Sequence, residues 1–397
     1  MPDDKLHLIT TQKELDSFCA ALKGKPFLVV DTEFMREKTY WPILCLIQAA
    51  APGPEDDPKN GVEGMIDPLA EGLDLAPFLD LLADPSIVKV FHAARQDLEI
   101  FYNLMKSVPA PLFDSQIAAM ACGFGDQIGY EPLMRELVKA NIDKGSRFTD
   151  WSRRPLSDAQ LTYALSDVTH LRDAYPILLS RLEKGNRNHW VEEELQALLS
   201  PALYFVEPSA AWKRLKLRNI RPKELGPLVK LAEWREREAQ EKNVPRGRII
   251  KDDGLFELAR MRPENTQSLS RARSIPRGFE RSSSAQGIVK AINEGIALPK
   301  ESLPELSRNE RKAPPPADVI DLLRVLLKHA CDYYQVAPKL IASASDLEAL
   351  ARSDKAPIPA MSGWRREIFG EQALRLKRGE ISLKLKDGTL EIVDLVS

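Results

Sequence analysis

The chain has 397 residues, of which 44% are hydrophobic and 29% are charged, and its formal net charge is −2. This length exceeds what one hydrophobic core usually organises, so we expect two or three domains, and the composition excludes a disordered or fibrous chain. There is no run of about 18 apolar residues, and the first ten residues lack a basic start followed by a long apolar stretch, so we expect no membrane span, no secretion signal and a cytoplasmic location.

Charge is distributed unevenly along the chain. Residues 1–200 carry 20 Lys and Arg against 31 Asp and Glu, whereas residues 211–290 carry 20 against 10. The first segment could therefore use its carboxylates to bind metals, and the second would attract polyanions. A solvated helical surface would explain the basic segment equally well, so charge alone leaves both interpretations open.

The first part of the chain predicts strands with short connections, followed by alternating strands and helices. A helix begins at Thr11, whose spacing to Glu14 is that of a capping box. Apolar, β-branched runs then predict four strands, and a helix follows the last of them; the ranges are Phe27–Glu33, Ile43–Ala49, Met65–Asp67, Ile87–Phe91 and, for the helix, Ala93–Met105. This order of elements favours an α/β domain with a mixed sheet.

The remainder of the chain predicts helices. A long helix spans Ser157–Leu182, a compact helical segment runs from Trp212 to about Gly287, and a further helical block begins at Asp318. Between the last two lies a polar linker, residues 297–316, that ends in three prolines. The final residues, 381–396, alternate weakly and turn at Asp387-Gly388, which predicts a terminal hairpin.

Two acidic residues interrupt an apolar strand near its end. Asp31 and Glu33 lie two positions apart, so both side chains leave the same face of the strand. Carboxylates that converge there are costly unless a positive charge lies between them, and hard oxygen ligands suit Mg²⁺ or Mn²⁺. Such pairs are also common at strand ends that merely cap a helix or face water, so the pair alone does not establish a metal site.

Asp97 follows the fourth predicted strand and lies early in the next helix. It could turn back across the strand ends towards the first two acids, or it could simply stabilise the helix N-terminus. His92, at the end of the same strand, is more consistent with a partly buried structural histidine than with a functional group.

Tyr163 and Asp167 lie four residues apart on the long predicted helix, so their side chains share one face. The carboxylate could complete a metal site, and the phenol could orient a water molecule. A surface pair on a helix is the alternative for this motif taken by itself.

Taken in order, these motifs resemble the DEDD exonuclease superfamily in its tyrosine branch, and within it the ribonuclease D family. The resemblance is carried by Val30-Asp-Thr-Glu-Phe34, by Phe91-His-Ala-Ala-Arg-Gln-Asp-Leu98 and by Tyr163-Ala-Leu-Ser-Asp-Val168. Phe113-Asp-Ser-Gln-Ile-Ala118 and Asp150-Trp-Ser-Arg-Arg-Pro-Leu156 are similar to further family segments. The sister branch has a histidine five residues before its last aspartate, and that position is Thr162 here.

A second resemblance follows the first along the chain. Trp212-Lys-Arg-Leu215, Leu231-Ala-Glu-Trp234 and Asn243-Val-Pro245 look like an HRDC domain, a helical module that binds nucleic acid in several proteins. Residues beyond 315 resemble the second, more diverged HRDC-like domain of ribonuclease D. The implied fold class is a ribonuclease H-like α/β exonuclease domain with a mixed sheet, followed by two all-α HRDC-type domains, with boundaries at 1–205, 209–290 and 315–397.

The resemblance also implies an activity and a mechanism. The expected enzyme is a metal-dependent 3′→5′ exoribonuclease that releases nucleoside 5′-monophosphates from tRNA precursors and other structured RNAs. Two divalent cations, Mg²⁺ or Mn²⁺, would be held by Asp31, Glu33, Asp97 and Asp167, and Tyr163 would position the attacking water. The expected partner is RNA, and we expect a monomer without an obligate protein partner.

Arginines set among Ser, Pro and Gly are the candidate RNA contacts in the basic segment: Arg271, Arg273, Arg277 and Arg281. A solvated loop is their alternative. For the whole protein, the alternatives are a 3′→5′ exonuclease that acts on DNA and a non-catalytic RNA-binding scaffold. The scaffold would be favoured by loss of one of the four carboxylates, and all four are present.

Overall fold

The computed structural model describes residues 8–58, 60–143, 145, 149–217, 220–275, 278–304 and 314–395. Within these ranges, every helix is too short or too polar to span a lipid bilayer.

A mixed six-stranded sheet forms the centre of the first two hundred residues. Its strands are β1 (Leu8–Ile9), β2 (Phe27–Met35), β3 (Ile43–Ala51), β4 (Val62–Ile66), β5 (Val88–Phe91) and β6 (Leu112–Asp114). The order is β1-β4-β3-β2-β5-β6. The pairs β2–β3 and β3–β4 are antiparallel, and the other three pairs are parallel, which confirms the predicted mixed sheet.

Helices cover the sheet on both faces and enclose a continuous core. They are α1 (Gln12–Leu22), α2 (Ala76–Ala83), α3 (Arg95–Met105), α4 (Ser115–Ala121), α5 (Tyr130–Val138), α6 (Asp158–Lys184) and α7 (Asn188–Leu198). The capping box predicted at Thr11 and Glu14 is present at the start of α1. The long helix α6 lies across β2, β3 and β4, so its buried face is brought against the strand that carries the acidic pair.

The basic segment folds around a separate hydrophobic core. Its helices are α8 (Pro222–Glu241), α9 (Arg246–Ile249), α10 (Asp252–Met261) and α11 (Ser283–Ala297), joined by short 3₁₀ turns. Leucine and isoleucine side chains such as Leu231, Leu255 and Ile288 are fully buried between these helices. Trp212 and Trp234 pack against this core.

The C-terminal block is helical and ends in a β-hairpin. It contains α12 (Ala317–Tyr334), α13 (Pro338–Ile341), α14 (Ala344–Arg352), α15 (Gly363–Arg365), a π-helical turn (Arg366–Gly370), α16 (Glu371–Lys377), β7 (Ile381–Lys386) and β8 (Thr389–Asp394). The hairpin turns at Asp387-Gly388, where both residues have positive φ, so the expectation of a terminal hairpin is confirmed. The expectation of an all-α block over 315–397 is corrected accordingly: the alternating residues after Ile381 pair as two strands.

The C-terminal block shares its core with the sheet domain. Trp364 stacks on Trp190 of α7 with ring centroids 4.2 Å apart, and Arg365 forms ion pairs with Glu193 and Glu194. Arg187 donates hydrogen bonds to the carbonyl oxygens of Tyr334 and Gln335. The last block therefore packs directly on the first rather than only on the segment that precedes it.

Candidate active site

Strand β2 supplies two acidic side chains at the edge of a cavity. Asp31 and Glu33 alternate with Thr32 and therefore project from the same face of the sheet. The pairing of β2 with β3 becomes irregular between Glu33 and Phe34, immediately after the second acid. Helix α6 packs on this strand.

Asp97 is aimed at this cavity by a sharp turn after β5. The turn passes through Ala93, whose φ of 58° lies in the left-handed region. The buried Asp114 carboxylate holds it by accepting hydrogen bonds from the backbone N–H groups of Ala93 and Ala94, at 3.0 and 2.8 Å. Asp97 then lies in the first turn of α3, where its Oδ1 accepts a hydrogen bond from Thr32 Oγ1 at 2.5 Å.

Helix α6 brings the last two residues to the same place. It begins with a capping box between Ser157 and Gln160, which fixes where the helix starts. Tyr163 and Asp167 lie one turn apart and are joined by a side-chain hydrogen bond. Tyr130 at the start of α5 donates a hydrogen bond to the carbonyl oxygen of Ser166 at 2.9 Å, which ties this helix to the rim of the cavity.

All five predicted catalytic residues line one cavity of about 460 Å³. One carboxylate oxygen from each of Asp31, Glu33 and Asp167 lies within 4.8 Å of the others. Asp97 lies outside this tight group but lines the same cavity, close enough to Asp31 for the two charges to interact. The geometry thus gathers residues from β2, α3 and α6, the first and last of which are more than a hundred positions apart in the sequence.

Burial disfavours the charged forms of Asp31 and Asp97, and the charge of Asp31 adds to the effect on Asp97. Burial raises the pKa of Asp31 from 3.8 to about 6, although the backbone N–H of Thr32 partly offsets the effect. Burial and the nearby Asp31 raise the pKa of Asp97 well above its ordinary value. Burial, followed by the charges of Asp167, Glu33 and Asp31, also raises the pKa of the Tyr163 phenol, which therefore stays protonated at neutral pH.

The residues present fit a divalent cation. The cluster offers only oxygen donors, which suit Mg²⁺ or Mn²⁺ and not the softer metals that prefer sulfur or nitrogen. Several carboxylates that repel one another in a buried cavity need a positive charge among them to stay ionised. Asp31, Glu33 and Asp167 could hold a cation together, and Asp97 lines the same cavity.

The arginines predicted to contact RNA lie elsewhere. Arg271, Arg273 and Arg281 are exposed in the segment between α10 and α11, and the cavity residues do not include them. Arg281 lies 3.6 Å from Glu280, and the backbone N–H of Arg273 donates to Glu257. Arg277 lies outside the described residues.

Several residues that shape the cavity carry no recognisable sequence signal. Thr32 holds Asp97, Asp114 holds the turn before it, and Tyr130 lines the cavity near Asp31 and Asp167. Asp114 belongs to a segment that resembles the family, but nothing in its spacing indicates which backbone it would contact. His92 also lines the cavity; its Nδ1 lies 2.9 Å from Ser115 Oγ and burial lowers its pKa, as befits a mostly buried histidine at a strand end.

Comparison with known proteins gives two family matches. The family model described as 3′-5′ exonuclease matches residues 6–183, and the one described as HRDC domain matches residues 224–292. The second, C-terminal HRDC-like domain stays a prediction.

Curated relatives match along nearly the whole chain. Ribonuclease D of Jannaschia sp. (strain CCS1) is 49% identical over 98% of this chain and 100% of its own length. Ribonuclease D of Granulibacter bethesdensis is 46% identical over 97% of this chain and 96% of its own length. Among solved structures, Escherichia coli RNase D, described as an exoribonuclease involved in structured RNA processing, superposes with a TM-score of 0.78 at 28% identity, covering 94% of this chain and 98% of that one.

Proposed function

The chain belongs to the ribonuclease D family and is a 3′→5′ exoribonuclease, and from this premise we propose that it trims tRNA precursors and other structured RNAs. The products are nucleoside 5′-monophosphates released one at a time. The observation that carries the proposal is the clustering of Asp31, Glu33 and Asp167 within 4.8 Å, in a cavity that Asp97 and Tyr163 also line.

Exonucleases of this fold use divalent metals, and we assign four carboxylates to hold a pair of Mg²⁺ or Mn²⁺ ions. When bound, such ions acidify a coordinated water and offset the negative charge on the departing 3′ oxygen. Asp31 belongs to the group with Glu33 and Asp167 and also interacts by charge with Asp97, so it would help to hold the cations together with all three. The Thr32 hydroxyl keeps Asp97 in position by its hydrogen bond.

Tyr163 orients the attacking water rather than deprotonating it. Its raised pKa keeps the phenol protonated, so the group acts through hydrogen bonds. One of these joins it to Asp167, which fixes the ring on the face of α6 that closes the cavity. A water held between this hydroxyl and the carboxylates would be the nucleophile that attacks the phosphodiester at the 3′ end.

We assign hydrolysis to residues 1–205. We assign binding of the RNA away from its 3′ end to residues 209–290. The second segment carries a net charge of +10 between residues 211 and 290 and includes the HRDC match. Phosphate contacts made by Arg271, Arg273, Arg277 and Arg281 would raise the local concentration of RNA without reading its sequence. Residues 315–397 form the proposed second HRDC-like domain.

The proposal is tested with a 5′-labelled tRNA precursor, which keeps its label as the 3′ end is shortened, incubated with Mn²⁺ or with EDTA. Stepwise shortening only in the presence of metal is the expected result. Cleavage confined to single-stranded DNA would support the DNA exonuclease instead, and retarded migration without shortening would support a binding scaffold.

Substitution of Asp31 by Asn completes the test, because the amide keeps the shape of the side chain and removes its charge. We expect activity to fall by at least about a thousandfold, with folding intact and RNA binding largely retained. Asp387→Asn is the matched control, since it makes the same change in the exposed terminal hairpin at a positive φ that Asn tolerates. Substantial residual activity in Asp31→Asn would refute the assignment.

A further inference from the structure

Gln48 is a fully buried amide with no hydrogen-bond partner. It lies in the middle of β3 with none of its surface exposed, and neither its side-chain oxygen nor its nitrogen meets a protein group. Burying a polar group in this way is unfavourable unless something else satisfies it. The other residues of β3 from Leu44 to Ala51 are apolar. An apolar residue at position 48 would therefore pack here without leaving a polar group unsatisfied.

The register of the sheet places this amide beside Asp31, which lines the acidic cavity. Gln48 is the cross-strand partner of Asp31, so the two side chains leave the same face with their Cβ atoms about 5 Å apart. On its other side Gln48 pairs with the buried Met65 of β4. Helix α6, which carries Asp167, lies over this face of the sheet and closes it.

Other unsatisfied polar atoms lie around the same cavity. Among the described residues, eight buried side-chain atoms lack a partner, and four of them belong to Gln48, His92 and Trp151. His92 lines the cavity, and the Trp151 ring lies 6.3 Å from that of Tyr163. Two buried atoms besides those of Gln48 therefore lie near the carboxylates without a protein partner, and the remaining four lie elsewhere in the described residues.

We propose that Gln48 is a positioning residue of the metal centre: its side-chain amide donates a hydrogen bond to Asp31, directly or through one buried water, and fixes the orientation of that carboxylate when cations bind. The inference rests on the proposed function, because it assumes that Asp31 is a metal ligand. Carboxylates that ligate metals are themselves held by neighbouring hydrogen-bond donors, and Gln48 lies opposite Asp31 with a free donor.

The test compares the parent protein with Gln48→Met, which keeps an unbranched side chain of similar length and removes both polar atoms. Two quantities are measured without RNA: the Mn²⁺ dissociation constant by isothermal titration calorimetry, and the thermal midpoint in EDTA. We expect Mn²⁺ to bind about tenfold more weakly. The thermal midpoint in EDTA should stay the same or rise, because the unsatisfied amide is gone.

Met65→Leu is the matched control, since it alters packing beside Gln48 on the same face and leaves the amide in place. It should leave the Mn²⁺ affinity unchanged. Gln48→Leu provides a second apolar variant and should behave as Gln48→Met does.

The outcomes separate this inference from the proposed function. If the parent binds Mn²⁺ and the dissociation constants of both Gln48 variants lie within twofold of the parent value, the inference is wrong and the proposed function stands. If either variant fails to fold in EDTA while Met65→Leu folds, the amide is structural and the inference is again wrong. If the parent itself binds no Mn²⁺ in the cavity, the proposed function fails first.

Discussion

The two acids with raised pKa values make the cation-free cavity sensitive to pH. Asp31 has an ordinary pKa of 3.8 when the chain is unfolded and about 6 when it is folded without metal. Between these values the folded protein holds a proton that the unfolded chain has lost, so the stability contributed by this group is present below about pH 4 and is lost as pH rises to about 6. The pKa of Asp97 is also raised well above its ordinary value, so the loss of folding stability continues to higher pH.

We therefore expect the thermal midpoint in EDTA to fall as pH rises from about 5 to about 7, and Mn²⁺ to reverse the trend. Cations bind only the ionised carboxylates, so the stabilisation by Mn²⁺ should grow with pH over the same interval. Differential scanning fluorimetry at several pH values, with and without Mn²⁺, measures both effects.

Asp31→Asn serves as the control for this prediction because it removes one of the titrating groups. The variant should show a flatter dependence on pH in EDTA and little stabilisation by Mn²⁺. Equal slopes for the parent and the variant would show that Asp31 does not titrate in this interval.

Sequence spacing could predict the residues that share one element. Asp31 and Glu33 lie on one strand, and Tyr163 and Asp167 lie on one helix, so the period of each element fixes their relative directions. Gln48 could not be found in this way, because its position opposite Asp31 depends on the register of β2 and β3. The Thr32–Asp97 hydrogen bond likewise depends on tertiary structure.

At the scale of elements, the turn between β5 and α3 determines where Asp97 points. Asp114 accepts hydrogen bonds from the N–H groups of Ala93 and Ala94 and also from that of Gln116 at 2.8 Å, so one carboxylate holds the turn and caps α4. The carboxylate accepts with both oxygens. An amide at this position would present a donor to one of these N–H groups.

We expect Asp114→Asn to lower the free energy of unfolding by about 2 kcal/mol, because a buried N–H loses its acceptor. Catalytic rate should fall as well, since Asp97 is no longer held in place by a fixed turn. Urea denaturation and the turnover number on a short oligoribonucleotide provide the two measurements.

Asp84→Asn is the matched control, because Asp84 makes a comparable local contact with Ser86 in an exposed turn far from the cavity. Asp84→Asn should change neither the free energy of unfolding nor the turnover number by much. A parent-like rate in Asp114→Asn, despite lower stability, would show that the turn does not control the position of Asp97.

Elements with a long hydrophobic pattern could be predicted from the sequence. Strands β2 and β3 and helix α6 carry apolar runs or helical spacing over nine or more residues, and the sequence predicted all three. Strands β1 and β6 have two and three residues, which is too few for any period to be visible. They form because β1 pairs with β4 and β6 pairs with β5. Such pairing depends on the tertiary fold and is not visible in a local sequence pattern.

At the scale of the whole molecule, the basic segment is linked to the sheet domain at the loop after β2. Tyr40 donates a hydrogen bond to Glu236 at 2.5 Å, and Asn243 accepts hydrogen bonds from the backbone N–H groups of Tyr40 and Trp41. This loop follows the strand that carries Asp31 and Glu33. The segment proposed to hold RNA is thus attached close to the strand proposed to hold metal.

The shared core of the first and last blocks decides how the basic segment should be tested. Leu326 and Phe369 of the C-terminal block are buried in the same core as the sheet, so removal of everything after residue 209 would expose apolar surface of the first block. A truncation would therefore confuse loss of RNA binding with loss of stability. Surface substitutions in the basic segment avoid this problem because they leave both cores intact.

We expect the triple variant Arg271→Ala, Arg273→Ala and Arg281→Ala to bind tRNA precursor more weakly and to hydrolyse a short oligoribonucleotide at the parent rate. All three arginines are exposed and lie away from the cavity. If each contacts one phosphate, the slope of log affinity against log salt concentration should decrease by about 2 to 3. Fluorescence anisotropy at several salt concentrations measures the slope.

The control removes three exposed cations from the sheet domain instead, by substituting Lys13, Lys23 and Lys184 with Ala. Both triple variants lower the net charge equally, so any general electrostatic effect on RNA binding is common to them. A larger loss of affinity and of salt dependence in the arginine variant than in the lysine variant would identify local phosphate contacts. Equal losses would mean that the arginines act only through the net charge of the molecule. The proposed RNA-binding surface would then have to lie elsewhere in residues 209–290.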